Sequence, residues 1–192
     1  MKENIRKALN ERKPERIFDP ESDRAAVLVP LFSKNGELSV LFTKRTQTVE
    51  HHKGQISFPG GRKDYTDKNL LATALRESLE EIGLRKDAVE LLGELDEEPT
   101  VVSNFIISPF VAVIPYPYPF KINKHEVAEI IEVSLTELLD TNNLQEETLT
   151  ENGISISSYT FYVNDSVIWG ATARIVKRFL DRICGNGDVQ SS

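Results

Sequence analysis

Between Phe58 and Leu84 the chain reads FPGGRKDYTDKNLLATALRESLEEIGL, and no other stretch limits the fold as much. The adjacent Gly60 and Gly61 close a short apolar run and permit tight backbone turning. The spacing then predicts a helix from about Leu70 to Ile82, ended by Gly83 where a left-handed cap belongs. At about 100° per residue, Leu71, Leu75, Leu79 and Ile82 share one stripe, the predicted core face, and Glu77, Glu80 and Glu81 fall on the opposite arc. Those acids are neighbours on the helix surface, where each like-charge pair costs roughly a few tenths of a kcal/mol. Two of them also lie toward the helix C-terminus, where the macrodipole disfavours negative charge.

A solvated acidic face is the ordinary reading of such a helix. Here a glycine turn with reachable carbonyls sits just upstream, and carboxylates plus a backbone oxygen form a hard, all-oxygen set suited to Mg²⁺ or Mn²⁺. The repulsion disappears once an ion is shared. An open site of this kind serves attack on phosphate esters and anhydrides, because the metal offsets charge on phosphoryl oxygens and acidifies a water. It also lets an acidic protein hold a polyanion.

The remaining pattern alternates strands with helices. Residues 3–12 read as a short amphipathic helix stopped by Pro14. AAVLVPLF (25–32) and LSVLFTK (38–44) read as strands joined at Asn35-Gly36, a strong hairpin signal. Strands are also expected over 55–59, 89–96 and 104–116, over 126–133 leading into a helix, and as a strand or hairpin over 154–164. GATARIVKRFLDRIC closes the chain as an amphipathic helix. The pattern indicates an α/β or α+β domain, with helices on a mixed sheet. Three segments are expected: an N-terminal helix and lead-in (1–23), a domain over 24–185 and a flexible tail (186–192).

A net charge of −7 argues against sequence-independent binding of nucleic acid. The single cysteine, Cys184, forms no internal disulfide and suits a reducing, cytoplasmic setting. No apolar run reaches the roughly 18 residues needed to span a bilayer, and the charged N-terminus lacks a signal-peptide core.

The glycine turn and helix resemble the signature of the Nudix hydrolases, G-x5-E-x7-R-E-U-x-E-E-x-G-U, where U is bulky and aliphatic. The match runs Gly61-x5-Asp67-x8-Arg76-Glu77-Ser78-Leu79-Glu80-Glu81-Ile82-Gly83-Leu84. It departs at Asp67, which stands for the first glutamate, in a gap one residue longer, and at Ser78 in an aliphatic position. The flanks are similar to the coenzyme A diphosphatase branch. LFTKRT (41–46) and HKGQISFPGGRKD (52–64) supply Thr43, Arg45, Gly54, Phe58 and Pro59-Gly60-Gly61, with Glu50 where that motif carries an arginine. Segments 103–112 and 168–176 are similar to this branch as well.

The resemblance implies an α/β/α sandwich and hydrolysis of a nucleoside diphosphate linked to another group, here coenzyme A or its thioesters. Glu77, Glu80, Glu81 and the Gly61 carbonyl would hold the metal, and Arg76 would pair with a nearby acid and fix the glycine turn. Arg45, Gly54, Phe58, Gly60 and Trp169 are the candidate substrate contacts. Glu126 is the candidate further ligand or general base, with Glu129 its close competitor. ADP-ribose, a dinucleoside polyphosphate or a damaged nucleotide is the alternative substrate. A non-catalytic domain binding nucleotide metabolites is the reading from another class, and the intact Arg76-Glu77-x2-Glu80-Glu81 core argues against it.

Three further features have plainer readings. His51, His52 and His125 read as surface or substrate-loop residues rather than zinc ligands. Trp169 either presents a flat face to an adenine ring or pantetheine arm, or anchors the last helix in the core. The aromatics of YPYPF (116–120) are open to a ligand, a second subunit of a homodimer, or no function beyond a Pro-rich turn.

Overall fold

Strand β1 (Asp23–Lys34) carries the apolar run AAVLVPLF, and a strand apolar at every position needs cover on both faces. The computed structural model describes residues 1–46, 54–100, 103–151 and 154–185; Glu50, His51, His52 and the tail 186–192 lie outside them. Along the chain α1 (Lys2–Asn10) precedes β1, followed by β2 (Glu37–Arg45), β3 (Ile56–Ser57), β4 (Gly60–Arg62) and α2 (Leu70–Ile82). Then come β5 (Glu90–Glu94), β6 (Glu98–Pro99), β7 (Phe105–Val113), β8 (Val127–Ser134) and α3 (Leu135–Leu139). The chain ends with β9 (Leu144–Glu151), β10 (Ile154–Val163), β11 (Ser166–Trp169) and α4 (Gly170–Cys184).

The main sheet is mixed. β1 runs parallel to β7, from Asp23 beside Phe105 to Leu31 beside Val113, and antiparallel to β2. The β1–β2 turn is made by Asn35 and Gly36, both left-handed at φ 54° and 85°, as a tight hairpin requires. Alternate residues of β1 divide the core. Ala26, Leu28 and Phe32 pack with Ala74 and Ile82 of α2. Val29 and Leu31 face the opposite layer, where Ile5 and Leu9 of α1 meet Ile175, Val176 and Phe179 of α4. The result is the expected helix–sheet–helix sandwich.

The second sheet, β9-β10-β11, is antiparallel and sends Phe161, Val163 and Ile168 into the α4 layer. Pattern reading found β10 but neither neighbour. The β9 sequence LQEETLTE is too polar to announce a strand, and β11 is only four residues long. The YPYPF aromatics lie inward: Tyr116 stacks on Phe32 at 4.8 Å, and the Tyr118 hydroxyl donates to the Gly83 carbonyl at 3.2 Å. They close the end of α2. Among the described residues no helix is long and apolar enough to cross a membrane.

Candidate active site

Helix α2 begins at Asn69, whose side chain accepts the Ala72 N–H at 2.8 Å, and ends at left-handed Gly83, φ 70°. Its boundaries agree with the pattern, but its buried side does not. Thr73, Ala74, Ser78, Glu81 and Ile82 are buried, while Leu79 is 50% exposed. Close approach to the sheet is the reason. A Cβ on Gly60 would stand 2.3 Å from the Ala26 carbonyl oxygen, and one on Gly61 would stand 2.6 Å from the Glu77 carboxyl carbon. A helix held so near its sheet turns small side chains inward, and Ser78 satisfies its hydroxyl on the Ala74 carbonyl at 2.7 Å. Glu81, expected on the solvent arc, therefore points into the protein.

Arg76 organises the acids. Its guanidinium donates to both Asp67 oxygens at 3.0 and 2.9 Å, and to the Arg62 carbonyl at 3.1 Å. The remaining nitrogen, Nη1, donates to Glu77 Oε1 at 2.7 Å and Glu80 Oε2 at 3.1 Å. Asp67 also accepts the Asp64 N–H at 2.9 Å. Arg76 thereby straps the loop that follows the glycine turn to the helix, and its hydrogen bonds hold Asp67 down at about 2. The same bonds, with Asp67 foremost, raise the guanidinium further.

Glu81 is buried at the floor of this group, accepting the Gly60 N–H at 3.2 Å. Burial pushes it up to about 8; the Gly60 amide and Arg45 oppose the rise, and the charges of Glu77 and Glu126 add to it. Glu77 is also raised, first by burial, against the pull of Arg76 and with the charges of Glu80 and Glu126 adding. Glu126 thus belongs electrostatically with the helix acids. Glu129 does not: it accepts from Lys44 Nζ at 2.8 Å, after a register break between Lys44 and Arg45 that offsets β8 against β2. Arg45 stands with its Nη1 4.0 Å from Glu81 Oε1, and its buried Nε has no hydrogen-bond partner among the described residues.

The other candidates scatter. Phe58 is core: it is 3% exposed and stacks on Phe42 at 4.8 Å, so it shapes the β3–β4 corner and cannot touch a substrate. The Gly60 amide is committed to Glu81, which makes Gly60 a support for that carboxylate rather than a substrate contact. Gly54 is a left-handed turn residue, φ 67°. Trp169 ends β11, which lies on β3, and is 52% exposed; Phe179, not Trp169, anchors α4. His125 is exposed. Pattern reading missed Asn123, whose N–H donates to the Glu81 carbonyl at 2.8 Å and whose Nδ2 donates to Glu126 Oε1 at 3.2 Å. Its only sequence signal is a polar turn residue ahead of a strand.

Among the described residues no three acidic, histidine or cysteine side chains are grouped closely enough to hold a metal ion by themselves. Arg76 stands as the resident cation of Glu77 and Glu80. The donors are nevertheless all oxygen, and the glycine backbone lies against Glu77, which fits a hard divalent ion. Mg²⁺ in particular keeps waters and substrate phosphates among its ligands and needs no closed protein cage.

Comparison with known proteins gives a consistent picture. Residues 22–152 match the family model described as NUDIX domain. The chain is 33% identical over 166 residues to the Nudix hydrolase NudL of Yersinia pestis (strain Pestoides F), covering 86% of this chain and 82% of that protein. In fold it is similar to a MutT/nudix family protein from Enterococcus faecalis, with TM-score 0.58 and 15% identity, over 91% of this chain and 66% of the other. It is also similar to the NUDIX domain of Shewanella oneidensis NrtR, solved with ADP ribose, with TM-score 0.50 and 20% identity, over 64% and 81% of the two chains.

Proposed function

Because the chain belongs to the Nudix hydrolase family and is a pyrophosphohydrolase, we propose that it cleaves the diphosphate linkage of coenzyme A or its thioesters. The products are adenosine 3′,5′-bisphosphate and 4′-phosphopantetheine or its acylated form. The observation that carries this reading is an acid group left short of cations, with Arg45 beside it, whose Nε has no hydrogen-bond partner among the described residues. Glu77, Glu80, Glu81 and the Gly61 carbonyl would hold a divalent ion, Mg²⁺ or Mn²⁺. When bound, it supplies positive charge to the diphosphate oxygens and favours ionisation of water.

The chain's own groups do the rest. Arg76 fixes the glycine turn, and Arg45 offers N–H donors to a phosphoryl oxygen. Glu126 takes a proton from the attacking water as its oxygen bonds to one phosphorus. The anhydride P–O bond breaks, leaving a phosphate monoester on each product. Trp169 offers a flat face to the adenine ring or the pantetheine arm.

The coenzyme A assignment rests on the similarity of residues 41–46 and 52–64 to the diphosphatase branch. A second reading, ADP-ribose or a dinucleoside polyphosphate, draws on the burial of Thr43 and Phe58, which makes those motif residues scaffold and not substrate readers. Purified protein assayed with Mg²⁺ or Mn²⁺ on coenzyme A, acetyl-coenzyme A, ADP-ribose and diadenosine tetraphosphate, with products identified by mass, separates the two. Coenzyme A is expected to give the highest kcat/KM, and a preference for ADP-ribose overturns the assignment. Chelation of divalent ions is expected to abolish turnover, and either ion to restore it.

A further inference from the structure

The segment between Phe120 and Val127 folds back over the end of α2. Lys121 N–H donates to the Ile82 carbonyl at 2.9 Å and Asn123 N–H to the Glu81 carbonyl at 2.8 Å, satisfying acceptors a helix end leaves open. Asn123 then builds its own turn. Its carbonyl accepts the N–H groups of Glu126 (3.0 Å) and Val127 (2.9 Å), and its Oδ1 accepts the His125 N–H at 3.2 Å. Its Nδ2 donates to Glu126 Oε1 at 3.2 Å, leaving Oε2 without a bond among the described residues. The neighbouring strand holds the same turn: Thr46 N–H donates to the Glu126 carbonyl at 2.9 Å, and Thr46 Oγ1 to the His125 carbonyl at 2.9 Å.

We infer that Asn123 is a positioning residue for hydrolysis, tying the backbone of Glu81 to the carboxylate of Glu126 so that Glu126 Oε2 faces the reacting water. The inference rests on the role proposed above for Glu126. Only an amide fills this place. Its oxygen shapes the turn while its nitrogen donates to a carboxylate, a charge-assisted bond of above-average strength. Aspartate keeps the turn acceptor and loses the donor; alanine loses both.

The test is a double-mutant cycle on steady-state turnover, with Mg²⁺ and the best substrate of the panel above. Asn123→Asp and Asn123→Ala are each expected to lower kcat roughly ten- to hundredfold, the scale of one charge-assisted hydrogen bond, with KM unchanged. Added to Glu126→Gln, either is expected to lower kcat no further, because Asn123 acts through Glu126. A residue that merely capped α2 would instead multiply the two losses, and that result overturns the inference. Asn123→Asp keeps the main-chain bonds, so it remains informative if Asn123→Ala fails to fold. Wild-type kcat in Asn123→Asp beside a crippled Glu126→Gln rejects the inference alone. Wild-type kcat in Glu126→Gln rejects it together with the base assignment.

Discussion

Two acid-rich stretches of this chain are neutralised very differently. On α2, Glu77 and Glu80 share Arg76 with Asp67, while Glu81 has Arg45 only at 4.0 Å. At Asp96, Glu97 and Glu98, which are consecutive and all buried, five arginines converge: Arg12 and Arg178 on Asp96, Arg16 and Arg24 on Glu97, Arg174 and Arg178 on Glu98. Backbone amides complete the second group, with Glu15 N–H on Asp96 and Ile17 N–H on Glu97, both at 2.8 Å. Acids that are buried and fully paired fasten the N-terminal segment, β1 and α4 to one edge of the sheet. Glu81, buried with its nearest cation 4.0 Å away, raises the local electrostatic energy, a deficit that under the proposed function a cation and a diphosphate would fill.

The sharpest way to break this contrast is to neutralise one acid in each group. Glu81→Gln keeps an acceptor for the Gly60 N–H and removes a buried charge. Its kcat is expected to fall about 10²–10⁴-fold, with Tm unchanged or higher. Loss of stability with full turnover would reverse the assignment. Glu98→Gln should do the opposite, leaving Arg174 without a carboxylate and Arg178 with only Asp96 at 3.8 Å, at a cost of about 3 kcal/mol, read as a Tm lower by roughly 6–12 °C. Turnover per folded molecule should not change.

Acid sharpens the comparison next. Burial by itself would raise Asp96 and Glu97, but hydrogen bonds and arginine charges outweigh it and hold both below their ordinary values. Asp67 is held at about 2, chiefly by Arg76. For a depressed carboxyl the stability is fully present above the unfolded value, near pH 4, and is lost as pH falls through the folded one. Wild-type protein is therefore expected to unfold in the range from about pH 4 down to 2, and Arg12→Ala to shift that transition upward on a circular-dichroism titration. A transition that stays put would remove the paired acids from the stability account. The smallest effect belongs to Arg16→Ala. That arginine is about half exposed and Glu97 keeps Arg24, Ser108 and the Ile17 amide, so chemical denaturation should find a loss under about 1 kcal/mol.

What could be read without coordinates was whatever depends on near neighbours. The ends of α2, the Asn35-Gly36 hairpin and the clustering of Glu77, Glu80 and Glu81 all follow from spacing of a few residues. The inner face of α2 was misread because hydrophobic periodicity assumes a helix at ordinary distance from its sheet. Beside Gly60 and Gly61 the approach is closer, so Ser78 and Ala74 go inside and Leu79 outside. Phe58 was misread as a contact because a motif lists residues without saying which of them hold the others in place.

The amino-acid order by itself determined a glycine turn, a capped helix and three acids on about one turn of it, because these are set by local backbone geometry. Only the tertiary structure decided which acids join them. Glu126 is brought in by a segment, Lys121 to Asn123, that returns to cap the helix at Ile82 and Glu81, and Glu129 is turned away by an offset between two strands. It also decided which acids are fully paired, since the arginines that neutralise Asp96, Glu97 and Glu98 come from both ends of the chain and meet only when it folds.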